Sequence, residues 1–123
     1  ALGGVILAYE VARSLGVRNI FAERENGKMT FRRGFHVNLG ERVLVVEDVV
    51  TTGGSVREVI ELLRETGAEV AGVGAVVDRS GGSVDFGVPF RPLMCMEARK
   101  WEESECPLCR EGIPIDKPGS RAV

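Results

Sequence analysis

The sequence predicts an α/β domain on a twisted, mainly parallel sheet with helices on both faces, closed by an irregular C-terminal tail. Three observations predict it. Val43-Leu44-Val45-Val46 is an uninterrupted apolar, mostly β-branched run, the pattern of a strand buried on both faces. A helical segment follows it. A second apolar run, Val70 to Val77, follows the helix. Strand, helix and strand in succession make a βαβ unit, whose crossover is right-handed as a rule.

Each element has its local reason. Gly3-Gly4 precede a helical pattern from Val5 to Leu15, with Leu7, Val11 and Leu15 on one face and Gly16 as the stop. Asn19 to Glu23 reads as a short strand. Residues 24–36 are polar and charged and contain Gly27 and Gly34, so they read as a flexible loop with a small β-excursion at Met29 to Arg32. Thr51-Thr52-Gly53-Gly54 forms a tight turn. Ser55 then opens a helix, with Glu58 three residues on as a capping box. Val56, Val59, Ile60 and Leu63 form its apolar face, and Gly67 stands where a C-terminal stop belongs. Phe90 to Met96 is a later strand, and the chain turns polar and Pro-rich from Glu97 onward.

The 123 residues suit one domain, 1–123, with 97–123 as an irregular extension. Sixteen basic residues stand against 18 acidic ones, for a net charge of -2. That balance argues against general nucleic-acid or membrane-surface binding, which favour a basic excess. No apolar run approaches the roughly 20 residues that cross a bilayer. The sequence shows no signal peptide and starts at Ala1 inside what reads as a turn, so a front segment is expected to be missing. Cys95, Cys106 and Cys109 are odd in number and unevenly spread, which fits a reduced, cytoplasmic setting.

The chemistry concentrates in Val43-Leu-Val-Val-Glu47-Asp48-Val49-Val50-Thr51-Thr52-Gly53-Gly54-Ser55. Two carboxylates stand at the C-terminal end of a buried strand, the edge where open α/β sheets bind ligands. Glycines and hydroxyls follow, then a helix N-terminus. Glycines let the backbone approach an anion, and N–H groups with the helix dipole favour phosphate there. One end of the segment therefore suits a phosphate and the other presents two acids. A phosphorylated sugar meets both demands, since its hydroxyls and any bound Mg²⁺ can face the acids. Neither G-x-G-x-x-G nor G-K-[ST] occurs in this segment.

Glu47 to Ser55 with its apolar lead-in resembles the PRPP signature of the type I phosphoribosyltransferases, and the resemblance runs from Gly3-Gly4 to the tail. It implies that fold, with the front hood segment of the family missing. It implies Glu47 and Asp48 on the ribose hydroxyls, and Val49, Val50, Thr51, Thr52, Gly53, Gly54 and Ser55 around the 5-phosphate. Gly3-Gly4 resembles the family's pyrophosphate loop, although many orotate enzymes carry a lysine where Gly3 stands.

Within that family the bacterial orotate group is the most similar. Asp78-Arg79 closes the strand after the signature helix, where that group carries an arginine that meets orotate; an arginine fork suits a planar anion. Thr51 lies near the reacting centre by the same resemblance. The tail, Cys106-Pro107-Leu108-Cys109-Arg110-Glu111-Gly112 through Lys117-Pro118-Gly119-Ser120, is similar to tails of that group. The basic loop of Arg24, Lys28, Arg32, Arg33 and His36 looks like the flexible loop that closes over pyrophosphate, often in the partner subunit's site. Lys28 is its implied catalytic lysine, beside Glu47 and Asp48, and Arg24 a second pyrophosphate ligand. Glu25 after Arg24 and the late His36 depart from the family's pattern. The resemblance implies orotate phosphoribosyl transfer with PRPP and Mg²⁺ in a homodimer of the cytoplasm, serving UMP synthesis. The alternatives are a purine or uracil phosphoribosyltransferase, a non-catalytic PRPP-sensing regulator on the same fold, or a fragment inactive by itself.

Cys106-x-x-Cys109 offers half a zinc site, which would also need Cys95 and His36; the thiols read instead as incidental or packing groups. Trp101, beside Arg99 and Lys100, reads as a packing anchor for the tail.

Overall fold

A computed structural model describes residues 3–97 and 101–114. Ala1, Leu2, Arg99, Lys100 and Lys117-Pro118-Gly119-Ser120 lie outside the described residues. The elements run α1 (Val5–Leu15), β1 (Ala22–Glu25), β2 (Lys28–Phe31), β3 (Arg42–Val50), α2 (Gly54–Glu65), β4 (Glu69–Asp78), β5 (Phe90–Cys95) and α3 (Pro107–Arg110). β3, β4 and β5 form a parallel sheet with β4 in the middle. β1 and β2 form a separate antiparallel hairpin.

The βαβ unit folds as its pattern predicts. α2 lays Val56, Ile60 and Leu63 on a sheet face that presents Val45, Val73 and Ala75, with Phe86 completing the cluster. Val45, Val73 and Phe90 are register partners across the three strands. Leu63 is 1% exposed. Burial of one such side chain contributes about 1.5–3 kcal/mol. Phe86 and Phe90 meet edge to face, 5.1 Å between ring centres.

α1 has the predicted bounds, and Gly16, at φ 66°, donates its N–H to the Ala12 and Arg13 carbonyls. Its inward face is rotated from the expected one. Ala12 is the buried position and Leu15 is 61% exposed. Among the described residues no strand pairs with the outer edge of β3. A hollow of about 450 Å³ lies there, lined by Val5, Ala8 and Ala12 of α1 and by Leu44 and Val46. No described helix is long and apolar enough to cross a membrane.

Four further expectations are corrected. The first strand begins at Ala22, three residues later than Asn19. Residues 22–31, read as a strand ending at Glu23 and a loop with a β-excursion at Met29 to Arg32, form one hairpin, in which that excursion is β2 and Glu25 stands opposite Lys28. Asn26 and Gly27 take φ 51° and 82°, the left-handed pair that a two-residue hairpin turn needs and that Asn-Gly accepts. The capping box does not form. Gly53, left-handed at φ 77°, is the N-cap of α2 and has no side chain to cap it; Thr52 Oγ1 accepts the Gly54 N–H only at the long distance of 3.5 Å. Glu58 turns instead to Arg24 of the hairpin, 2.6 Å away. The tail carries one short helix, α3, and Trp101 is 48% exposed rather than packed away.

Candidate active site

β3 carries both acids inside its span. Glu47 is 6% exposed, and its Oε1 accepts the Asp48 N–H at 3.1 Å. Burial, then the adjacent Asp48 side chain, push the Glu47 carboxyl above the usual glutamate range. Asp48 is half-buried, and its Oδ1 accepts the Val49 N–H at 2.8 Å.

The Gly3-Gly4 turn lies directly against this pair. A Cβ on Gly3 would stand 2.5 Å from Asp48 Oδ2, and one on Gly4 would stand 2.9 Å from Glu47 Oε1. Any side chain at Gly3 would require Asp48 to move. Gly53 is also confined on two counts. Its φ is left-handed, and a Cβ there would meet Phe86 and Val84 at 2.9 Å. That close approach seats the turn on the loop after β4.

Two adjoining hollows result. One, about 160 Å³, is lined by Arg24, Glu47, Val49, Val50, the run Thr51 to Ser55, Val56 and Glu58. It opens on the uncapped N-terminus of α2, where N–H donors and the helix dipole favour an anion. The second, about 780 Å³, is lined by Thr51, Thr52, Arg57, Arg79, Ser80, Gly81, Ser83, Val84, Cys95, Met96 and Glu97. Thr51 and Thr52, both exposed, form the shared wall.

The fold thus brings Arg24, Glu47 and Thr51 to Ser55 to one hollow, and Thr51 and Arg79 to its neighbour. Val50 lines the first hollow, but it is 1% exposed within the core, and its carbonyl accepts the Arg79 N–H at 2.7 Å. Lys28 lines neither hollow. It stands exposed at the turn end of β2 and makes no ion pair among the described residues. The other arginines of this region are engaged: Arg24 with Glu58, Arg32 with Glu25, Arg33 with Glu23. His36 is exposed, with Nδ1 3.3 Å from the Gly34 carbonyl. Cys106 and Cys109 flank the first turn of α3 with free thiols, and Cys95 lines the larger hollow.

Sequence reasoning missed three residues. Arg57 lines the larger hollow from α2, held by the Asp85 carbonyl and stacked 5.4 Å from the Phe86 ring centre. Glu58 anchors Arg24. Asp78 is buried beneath the turn that carries Arg79. Only Asp78 left a local signal, since Asp before Ser and two glycines is a turn-forming pattern.

The family model of the phosphoribosyl transferase domain matches residues 1–86. Over all 123 residues the chain is 65% identical to an orotate phosphoribosyltransferase of Caldanaerobacter subterraneus subsp. tengcongensis and 63% identical to one of Thermotoga maritima. It spans 65% and 66% of the length of those relatives. Among solved structures, an orotate phosphoribosyltransferase of Aeropyrum pernix superposes with a TM-score of 0.62 at 29% identity, covering 77% of this chain and 56% of that one. An adenine phosphoribosyltransferase of Thermoanaerobacter pseudethanolicus shares the fold, with a TM-score of 0.61 at 20% identity over 76% of this chain and 65% of that one. With the acid pair, the glycine turns and the uncapped helix in place, and with identity of this order along its whole length, the chain belongs to the phosphoribosyl transferase domain family.

Proposed function

We propose that the complete protein carrying this chain is an orotate phosphoribosyltransferase, which moves the 5-phosphoribosyl group of PRPP to orotate and releases pyrophosphate. The carrying observation is the shared wall: Thr51 and Thr52 separate a phosphate-sized hollow from a larger one that Arg79 lines. The names of the relatives at 65% and 63% identity support the same base.

In this reading the 5-phosphate occupies the smaller hollow, against the N–H groups of Gly53, Gly54 and Ser55 and the hydroxyls of Thr51, Thr52 and Ser55. Val49 and Val50 shape that wall. Glu47 and Asp48 receive the ribose hydroxyls. Two carboxylates fit sugar hydroxyls, or the waters of a substrate-borne Mg²⁺. When bound with PRPP, Mg²⁺ neutralises pyrophosphate charge. Gly3-Gly4, close against both acids, offers the leaving group backbone contacts only. The bond from C1 to the pyrophosphate oxygen breaks, the ring nitrogen of orotate bonds to C1, and that nitrogen's proton leaves to solvent. The sugar passes through an oxocarbenium-like state, as in other glycosyl transfers. The protein's part is positioning, charge stabilisation and exclusion of water. Lys28, uncommitted among the described residues, is the candidate to reach the pyrophosphate when the hairpin closes or from a partner subunit. Arg24, expected on the pyrophosphate, lines the smaller hollow and would serve the 5-phosphate instead. Arg79 faces the carboxylate edge of orotate across Thr51. A homodimer in a reducing, cytoplasmic setting and a role in pyrimidine synthesis belong to the same proposal.

The test is Mg²⁺-dependent PRPP consumption by the complete protein with orotate, uracil, adenine, hypoxanthine and xanthine. Turnover with orotate alone is expected. Turnover with another base overturns the assignment of Arg79. PRPP binding without turnover on any base overturns the enzyme reading in favour of a sensor.

A further inference from the structure

Asp78 ends the central strand β4 and is 1% exposed. With Glu47 it is one of the two buried charged residues among those described, and the site reading leaves it without a role. No lysine or arginine pairs with it among the described residues. A buried carboxylate without a counter-ion is costly unless hydrogen bonds hold its charge. Here the backbone does so. Oδ1 accepts the Ser80 N–H at 2.8 Å and Oδ2 accepts the Gly82 N–H at 3.2 Å. Ser80 Oγ lies buried beside this carboxylate without a hydrogen-bond partner of its own. Ser80, and after it the Gly82 amide, hold the Asp78 carboxyl below the usual aspartate range.

What this carboxylate organises is the turn that carries Arg79. The Arg79 N–H donates to the Val50 carbonyl, and the Met96 N–H donates to the Asp78 carbonyl, both at 2.7 Å. Ser80 bridges to Glu97. Gly81 and Gly82, at φ 67° and 80°, let the chain curl back over the acid. The main chain of Arg79 is thereby tied to β3, to the strand end of β5 and to the buried carboxylate of its predecessor. Its side chain, exposed and without an ion pair among the described residues, lines the larger hollow. A long side chain aims well only from a fixed root.

We propose that Asp78 is a positioning residue for the base site: its carboxylate fixes the 79–82 turn so that the Arg79 guanidinium faces a planar, anionic base. The inference rests on the orotate reading above and deepens it.

The experiment is a double-mutant cycle on the complete protein, with Asp78→Asn, Arg79→Ala and the pair. Asp78→Asn is expected to raise KM for orotate about tenfold, while kcat and KM for PRPP stay within about twofold. In the Arg79→Ala background the same change is expected to add nothing. An Asp78→Asn effect that adds in full to that of Arg79→Ala overturns the proposal. So does a lowered Tm with an unchanged orotate KM, which is the outcome of a purely structural role. If Asp78→Asn does not fold, Asp78→Ser carries the cycle. A serine still accepts the Ser80 N–H, and an intermediate orotate KM that vanishes in the Arg79→Ala background is expected. Failure of the orotate reading shows separately, as wild-type turnover with a different base. The cycle is then run on that base, and loss of coupling between residues 78 and 79 overturns the positioning role by itself.

Discussion

Glu47 and Asp48 are neighbours in one strand with different environments, and the two should respond differently to loss of charge. Burial and the Asp48 side chain raise the folded-state pKa of Glu47. Between the ordinary glutamate value and that raised value, the folded chain holds a proton that the unfolded chain has lost. Stability therefore falls as pH rises through this window, and the penalty is complete above it. Glu47→Gln keeps an acceptor for the Asp48 N–H and removes the charge. It is expected to stabilise the substrate-free protein at pH 7.5 by about 1 kcal/mol, a rise in Tm of roughly 2–4 °C, and to lose that advantage near pH 4. Scanning calorimetry at both pH values checks it, with KM for PRPP expected to rise. Asp48 is only half-buried and leans on the Gly3 turn. Asp48→Asn should leave Tm nearly unchanged and lower kcat/KM for PRPP by about 10²-fold, the usual loss when one oriented polar partner of the reacting sugar is removed. Full activity in that variant would displace the ribose from Asp48.

The hairpin β1–β2 is the element whose reading changed most. Its polarity reads as a loop between a strand ending at Glu23 and a β-excursion at Met29 to Arg32, and only the Asn26-Gly27 pair marks the turn that joins the two. Its function in the structure is to deliver Arg24 to the phosphate-sized hollow, braced by Glu58 of α2. Gly27→Val places a β-branched residue at φ 82°, which is costly by roughly 1–3 kcal/mol. The expected result is faster hydrogen exchange over residues 22–31 and a KM for PRPP raised about threefold to tenfold, with the fold otherwise kept. An unchanged KM would detach Arg24 from the phosphate. α2 shows the complementary economy. A side-chain cap would occupy N–H donors of the first turn, and Gly53, as N-cap, supplies none.

At the scale of the whole molecule, stability and site share one helix. Leu63, Ile60 and Val56 bind α2 to the sheet, and the first turn of the same helix forms the phosphate-sized hollow. Leu63→Ala is expected to destabilise the protein by about 2–5 kcal/mol, since the close packing around it leaves a cavity rather than collapsing. Urea unfolding measures this, and added PRPP with Mg²⁺ should recover part of the loss by mass action. A change under 1 kcal/mol would mean that α2 is not the keystone of the core.

The sequence by itself determined the βαβ unit, the bounds of α1 and the run of acids, hydroxyls and glycines that lines the smaller hollow. Those features rest on local rules: apolar periodicity, a glycine stop, and acids, hydroxyls and glycines in unbroken order. The tertiary structure alone decided that Gly3-Gly4 presses on both carboxylates and that Thr51 divides two hollows. It also decided that Arg57 joins Arg79, that Glu58 braces Arg24 rather than capping its own helix, and that Asp78 lies buried beneath the turn. Each of these depends on distances between segments far apart in the chain. Burial and hydrogen bonding across such distances appear only once the chain has packed, so no local pattern could carry them.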